Sequence, residues 1–108
     1  MPFLNLRDIP VKTLVPGFLA QLVHSNSMTL SIVKIEKGSV LPEHSHIHEQ
    51  ITFVINGKLQ FNLESEILVL ESGMLANIPS GAKHSAIALE DCHVLDAFSP
   101  VREDYQKL

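Results

Sequence analysis

The chain has 108 residues, of which 45% are hydrophobic, and this predicts one folded domain with a modest core. Its formal net charge is −4 without a basic cluster, which argues against nucleic-acid binding. Because no run of about 18 apolar residues and no secretory signal pattern is present, and Cys92 is the single cysteine, we expect a cytoplasmic protein without membrane contact or disulfide.

The first 16 residues contain three prolines, at positions 2, 10 and 16, which argue against a helix of any length. We therefore interpret residues 1–16 as an extended arm, with a short strand candidate at residues 5–9. Residues 17–108 are expected to form the folded domain.

The rest of the chain alternates short apolar runs with turn residues, at the spacing of about 8–12 residues that is typical of all-β domains. The predicted strands are residues 18–24, 28–36, 50–55, 58–64, 67–71, 74–78, 84–89 and 92–99. Between the third and fourth strands, Asn56-Gly57 is the pair most typical of a two-residue β-hairpin. No amphipathic helix of ten residues is apparent, so the pattern predicts a β-sandwich or a closed barrel.

Three of the six histidines, His44, His46 and His48, lie within five residues. Neutral imidazole is a common ligand of transition metals, so this cluster indicates a metal site, although a polar surface loop is the alternative. On an extended strand His44 and His46 would share a face, about 6–7 Å apart. Gln50 would then lie about 13 Å from His46, so either the chain bends after Ile47 or Gln50 is not a ligand.

A second stretch, residues 73–88, has a Pro-Ser-Gly turn followed by His84 and an alternating run. Together the two stretches resemble the paired motifs of the cupin superfamily. The matching positions are Gly38, His44, His46, Gln50 and Gly57 in the first motif, and Gly73, Pro79, Gly81 and His84 in the second. Two positions differ, since Gln50 replaces the usual acid and Ala88 replaces the usual asparagine.

The cupin resemblance implies an all-β double-stranded β-helix, or jelly-roll, barrel over residues 17–108. It also implies one divalent transition metal ion (zinc, nickel, iron or manganese) held by His44, His46, Gln50 and His84. Because these four donors are neutral, the ion would keep its full charge and favour an anionic substrate. His48 lies outside the ligand pattern, and we expect it at the rim of the site, in contact with substrate or behind a ligand.

Near the end of the chain, Val94, Asp96 and Phe98 share one face of a predicted strand. A carboxylate between two apolar neighbours is costly to bury unless it is paired or functional. The opposite phase, with Leu95 and Ala97 inward, would leave Asp96 in water. Alternation alone does not choose between the two phases.

The order of the motifs HxHxHEQ, PxGxxH and DxFSPxRxD is similar to that of the KdgF family, small cupins of pectin and alginate degradation that linearise unsaturated uronates. This narrower resemblance implies that Asp96, Phe98 and Arg102 face the metal pocket. Asp96 would transfer protons, Phe98 would contact the substrate, and Arg102 would hold the uronate carboxylate in a bidentate pair. The alternative for Arg102 is a surface ion pair with Glu103 or Asp104.

Three functions are therefore considered. The first is metal-dependent ring opening or isomerisation of an unsaturated uronate or a similar sugar acid; the others are a metal-dependent dioxygenase of a small organic substrate and a non-catalytic small-molecule-binding cupin. The last is disfavoured because Tyr105 is the single tyrosine and tryptophan is absent, which leaves few sugar-stacking rings. We also expect a homodimer, in which the arm before Gly17 covers a strand edge of the partner.

Overall fold

The computed structural model describes residues 2–108, and over these residues ten strands form two antiparallel sheets. The strands are β1 (Lys12–Val15), β2 (Phe18–His24), β3 (Thr29–Ile35), β4 (Val40–His44), β5 (Glu49–Asn56), β6 (Leu59–Leu63), β7 (Glu66–Leu70), β8 (Leu75–Ile78), β9 (His84–Ala88) and β10 (Cys92–Ser99). A 3-10 helix at Leu6–Asp8 precedes them, and helix α1 (Glu103–Gln106) follows them. Neither helix in this part of the chain is long or apolar enough to cross a membrane.

The larger sheet has the strand order β1-β2-β3-β10-β5-β8, and the smaller has the order β4-β9-β6-β7. From β3 onward the chain passes repeatedly from one sheet to the other, and only β6 and β7 follow each other within a sheet. This arrangement is a double-stranded β-helix, so the all-β jelly-roll barrel expected from the sequence is confirmed.

Inward-facing residues form layers across the larger sheet, because paired strands place their alternate side chains side by side. Phe98 on β10 pairs with Thr29 and Gln50, and the next inward residue, Asp96, pairs with Ser31 and Thr52. Below them lies the layer of Val94, Val33 and Val54. The end of the barrel at Gln50 and Phe98 is called the upper end here, and it carries most of the buried polar residues.

The N-terminal segment differs from the expectation in two ways. The predicted strand at residues 5–9 is wrong: Leu6–Asp8 form a 3-10 helix, and the side chain of Asn5 accepts a hydrogen bond from the Arg7 amide. Residues 12–15, expected in the arm, form β1, which pairs with β2, and Leu14 and Val15 pack against the core. The boundary expected at residue 16 therefore falls in the turn of a β-hairpin.

The hairpin predicted at Asn56-Gly57 is also wrong, because β5 and β6 belong to different sheets. Gly57 has a φ of +98°. A Cβ atom added there would lie 2.8 Å from the Cα of Cys92 and closer still to the carbonyl oxygen of Asp91. Glycine is needed at this crossing for its positive φ and for the close approach of another chain segment.

Candidate metal centre and active site

Three histidines meet at the upper end of the barrel. His44 ends β4 and pairs with His84, the first residue of β9, with the two ring centroids 4.2 Å apart. His46 lies in the loop between β4 and β5 and completes the group. One nitrogen from each ring lies within 4.8 Å of those of the other two. The two stretches singled out in the sequence are thus brought together as one cluster.

The tautomers of these histidines are set by backbone carbonyl groups. The Nδ1 atom of His44 lies 2.8 Å from the oxygen of Pro42, that of His46 lies 3.1 Å from the oxygen of His48, and that of His84 lies 2.9 Å from the oxygen of Ala82. Because a carbonyl oxygen can only accept, each Nδ1 carries the proton and each Nε2 keeps a lone pair. The Nε2 of His84 is buried without a hydrogen-bond partner among the described residues.

The chain bends between His46 and Gln50, so the distance expected on a straight strand does not apply. The Oε1 atom of Gln50 lies 3.0 Å from His46 Nε2. The amide nitrogen of Gln50 donates to Thr52 Oγ1 at 2.9 Å and to Asp96 Oδ1 at 3.3 Å, which fixes the orientation of the amide. Two acceptor atoms therefore face each other, and a cation between them would satisfy both.

The donor set fits a divalent transition metal ion. Burial, with charge repulsion from His44 and His46, lowers the pKa of His84 to about 4. Burial and the nearby Arg102 guanidinium also lower the pKa of His46. Imidazole binds a metal in its neutral form, so these shifts keep both rings ready to ligate at neutral pH. His44, His46, His84 and Gln50 would hold such an ion.

A cavity of about 360 Å³ lies between the two sheets, beside this cluster. This volume is within the range of about 300–1,000 Å³ that is typical of small-molecule sites. The polar residues on its wall include His44, Gln50, Thr52, Asp96, Arg102 and Tyr105. The two candidate catalytic residues and two of the candidate metal ligands therefore face one space.

Asp96 faces this cavity, which settles the phase that the sequence left open. Its Oδ1 atom accepts hydrogen bonds from Thr52 Oγ1 at 2.7 Å and from Gln50 Nε2 at 3.3 Å. Burial raises the pKa of Asp96 to about 6, although these hydrogen bonds and the charge of Arg102 act in the opposite direction. A carboxyl group with a pKa near neutrality can both accept and release a proton.

Arg102 faces the cavity and also pairs with Asp104, while its binding of a substrate carboxylate stays a prediction. It is buried, with 7% of its surface exposed, and it lines the cavity. Its Nε and Nη2 atoms donate to the two carboxylate oxygens of Asp104, at 2.9 Å and 2.7 Å. The guanidinium carbon lies 3.8 Å from the ring centroid of Tyr105 and 4.8 Å from that of Phe98. Asp104 uses two of the five N–H groups, and the other three, beside Tyr105, are not used by Asp104.

His48 is not on the cavity wall. Its carbonyl oxygen holds His46, and its ring packs against His46 and Phe98 at centroid distances of 5.3 Å and 6.5 Å. Its contact with substrate stays a prediction, whereas this geometry favours a role in positioning His46. Phe98, in contrast, is buried and lines the cavity.

Two residues of the site were not predicted. Thr52 follows Gln50 by two residues on β5, and this spacing would have placed it on the same face. The contact of Tyr105 with Arg102 depends on helix α1, for which the sequence offered no signal of sufficient length.

Comparisons with known proteins agree with the fold described above. Residues 31–98 match the Cupin_2 family, described as a cupin domain. The pectin degradation protein KdgF of Dickeya dadantii is 32% identical over 101 residues, which cover 91% of this chain and 92% of that protein. The structure of KdgF from Halomonas sp. superposes with a TM-score of 0.90 and 31% identity, covering 97% of this chain and 98% of that one. Quercetin 2,3-dioxygenase of Bacillus subtilis is 47% identical over 51 residues, which are 45% of this chain and 15% of that protein.

Proposed function

The chain belongs to the Cupin_2 family and is a homologue of the KdgF pectin degradation proteins, and we propose that it is a metal-dependent enzyme that opens or isomerises an unsaturated uronate or a similar sugar acid. One arrangement carries this proposal: Asp96 and Arg102 line the same cavity as Gln50 and His44. A proton-transfer group and a carboxylate-binding group thus lie beside the residues that would hold a metal.

The chemistry requires proton movements and no oxidant. Opening the sugar ring breaks the bond between the ring oxygen and the anomeric carbon, while the anomeric hydroxyl loses its proton and becomes an aldehyde. The ring oxygen takes up that proton and becomes the hydroxyl of an enol, which turns into a ketone when a proton moves from this oxygen to the neighbouring alkene carbon. A bound divalent ion would act as a Lewis acid that polarises a substrate oxygen during these steps.

Asp96 is the group that would carry these protons. The hydrogen bonds that it accepts from Thr52 and Gln50 both end on Oδ1. Its other oxygen, Oδ2, is therefore the one we assign to the substrate. Arg102 would hold the substrate carboxylate with the N–H groups that Asp104 does not use, in the bidentate geometry that guanidinium favours.

The proposal is tested on protein purified without added metal. Metal analysis should give one divalent ion per chain. Unsaturated uronates from pectin and alginate should then lose the ultraviolet absorbance of their conjugated double bond, with aldehyde and ketone products visible by NMR. Protein stripped with a chelator should be inactive until metal is restored. Fully loaded protein that leaves every such uronate unchanged would contradict the proposal.

A dioxygenase of a small organic substrate is the second candidate. It is favoured by the apolar lower part of the cavity, where Phe18, Val33 and Val94 form part of the wall. This chemistry needs a redox-active ion and consumes oxygen. Zinc as the resident metal would therefore exclude it, whereas iron or nickel with substrate-dependent oxygen uptake would support it.

A further inference from the structure

The cavity continues well below the polar layer of Asp96 and Thr52. The side chains that surround this part are apolar and buried, and we call six of them the lower wall: Phe18, Val33, Ile35, Leu59, Ala86 and Val94. Val94 lies one layer below Asp96 on β10, which is about 7 Å along the strand. Ile35 lies a further layer down from Val33 on β3.

A sugar acid does not account for this surface. Nearly every carbon of a uronate carries a hydroxyl or carboxyl group, and each group turned toward the lower wall would lose its hydrogen bonds to water without gaining others. Protein interiors are otherwise close-packed, so the open volume among core residues indicates space for a ligand. The ligand that matches the lower wall is apolar.

The upper end of the same cavity imposes a second requirement. Arg102 is buried there, and three of its N–H groups are not used by Asp104. A buried guanidinium with free N–H groups matches a carboxylate better than any neutral group. One space thus has an anion-binding end and an apolar end.

We propose that this cavity binds an amphipathic carboxylate, whose acid group is held by Arg102 and whose aliphatic chain lies against the lower wall. This site goes beyond the proposed uronate chemistry, which uses the upper residues alone. The two share the Arg102 clamp but not the lower wall, so a test of the lower wall alone can fail while the uronate chemistry holds, and the reverse.

A homologous series of straight-chain carboxylates, from butanoate to octanoate, tests the proposal by calorimetric titration of the metal-loaded protein. Each added methylene should strengthen binding about fourfold, which corresponds to about 0.8 kcal/mol per buried methylene, until the lower wall is covered. Affinity that does not change with chain length overturns the apolar part of the proposal, whether or not uronates are turned over.

Two variants locate the ligand. Ala86→Leu adds a side chain to the lower wall, so the gain should stop at a shorter acid than in the unmodified protein. The matched control is Ala97→Leu, since Ala97 lies on β10 opposite the outward-facing Ile51 and does not line the cavity. The control should reproduce the unmodified series, and equal behaviour of the two variants overturns the assignment.

The acid end is tested with Arg102→Ala, which should weaken octanoate binding at least tenfold while leaving octanol binding unchanged. Unchanged octanoate binding overturns the role of Arg102. Circular dichroism of each variant confirms that the barrel is intact, and the series on the unmodified protein needs no variant at all.

Discussion

Gln50 Oε1 and His46 Nε2 lie 3.0 Å apart, although each of these atoms is an acceptor. The amide nitrogen of the same glutamine donates to Asp96. An acid at position 50, which the cupin pattern usually has, would instead turn an oxygen toward the Asp96 carboxylate. The amide therefore lets one side chain offer an oxygen to a cation and a hydrogen bond to a neighbouring carboxylate.

The metal centre is tested by two substitutions. His46→Ala should abolish stoichiometric metal binding, because it removes one of the three histidine ligands. The fold should stay largely intact, because His46 lies in a loop and the strands that carry His44 and His84 do not depend on it. Gln50→Glu should keep the metal but lose turnover, because it removes the hydrogen bonds to Thr52 and Asp96 and places two carboxylates in contact. Metal analysis measures the occupancy of each variant, circular dichroism checks the fold, and turnover is measured on the uronate that the protein accepts. Full metal occupancy in the alanine variant would refute the ligand assignment.

Asp96→Asn should separate metal binding from turnover. The asparagine keeps the size of the side chain but cannot transfer a proton, and general acid–base catalysis typically contributes about 10²–10⁴-fold. We expect kcat to fall by such a factor on the uronate that the protein accepts, with one metal ion per chain retained. Thr52→Val, which removes one hydrogen bond to Asp96, serves as the milder comparison. Unchanged kcat in the asparagine variant would rule out the proton-transfer role.

The pair between Asp104 and Arg102 should appear in the pH dependence of stability. The hydrogen bonds from Arg102 lower the pKa of Asp104 from 3.8 to about 2. A lowered pKa stabilises the folded protein above about pH 4, and this contribution is lost as the pH falls toward 2. Because the Asp104 side chain is 59% exposed, the effect is on the order of 1 kcal/mol.

Urea unfolding of the unmodified protein and of Asp104→Asn should therefore differ at pH 7 and converge in acid. The exposed Glu103 on the same helix supplies the control, Glu103→Gln, which should follow the unmodified protein throughout. A difference that persists unchanged below pH 3 would contradict the assignment.

Gly57 should tolerate alanine poorly. Its φ of +98° and the backbone atoms of residues 91 and 92 leave no space for a Cβ atom. We expect Gly57→Ala to lower the free energy of unfolding by about 2–5 kcal/mol, from strain and crowding together. Gly73→Ala is the matched control, because Gly73 also has a positive φ but nothing within 4 Å of the added atom. It should cost about 1–2 kcal/mol, and equal losses would show that crowding is unimportant.

The homodimer, in which the arm before Gly17 covers a strand edge of the partner, stays a prediction, and we expect it also to bury the outer face of the larger sheet. Ile51 on β5 is 47% exposed there and Leu75 on the edge strand β8 is 58% exposed. Light scattering at micromolar concentration should give twice the mass of the chain, and a monomer mass would contradict the prediction. Ile51→Lys should produce monomers, whereas Ile67→Lys, at a position on the smaller sheet that is 63% exposed, should not.

Much of the site could be predicted because its residues are marked by spacing along the chain. His44, His46 and His84 lie in two short stretches, and the structure brings one nitrogen of each ring within 4.8 Å of those of the other two. The phase of Asp96 was not predictable, since both faces of its strand carry apolar residues. It is decided by the pairing of β10 with β3 and β5, which lie far away in the sequence.

The errors in the fold have the same origin. Asn56-Gly57 has the local preference of a hairpin, yet the chain crosses between sheets there, because β5 pairs with β8 and β10 instead. β1 was missed because Lys12–Val15 is short and follows a proline, and its pairing with β2 provides what its sequence lacks. Local propensity reflects only residues that are adjacent in the sequence, whereas the order of strands in a sheet depends on contacts throughout the barrel.

The position of β10 has a consequence for how the chain folds. This strand lies between β3 and β5 in the centre of the larger sheet, although it is the last strand in the sequence. Until residues 92–99 are in place, both neighbours present open hydrogen-bonding edges to other chains. Closing such long loops slows folding, so fragments that end before residue 92 should aggregate rather than form a smaller barrel.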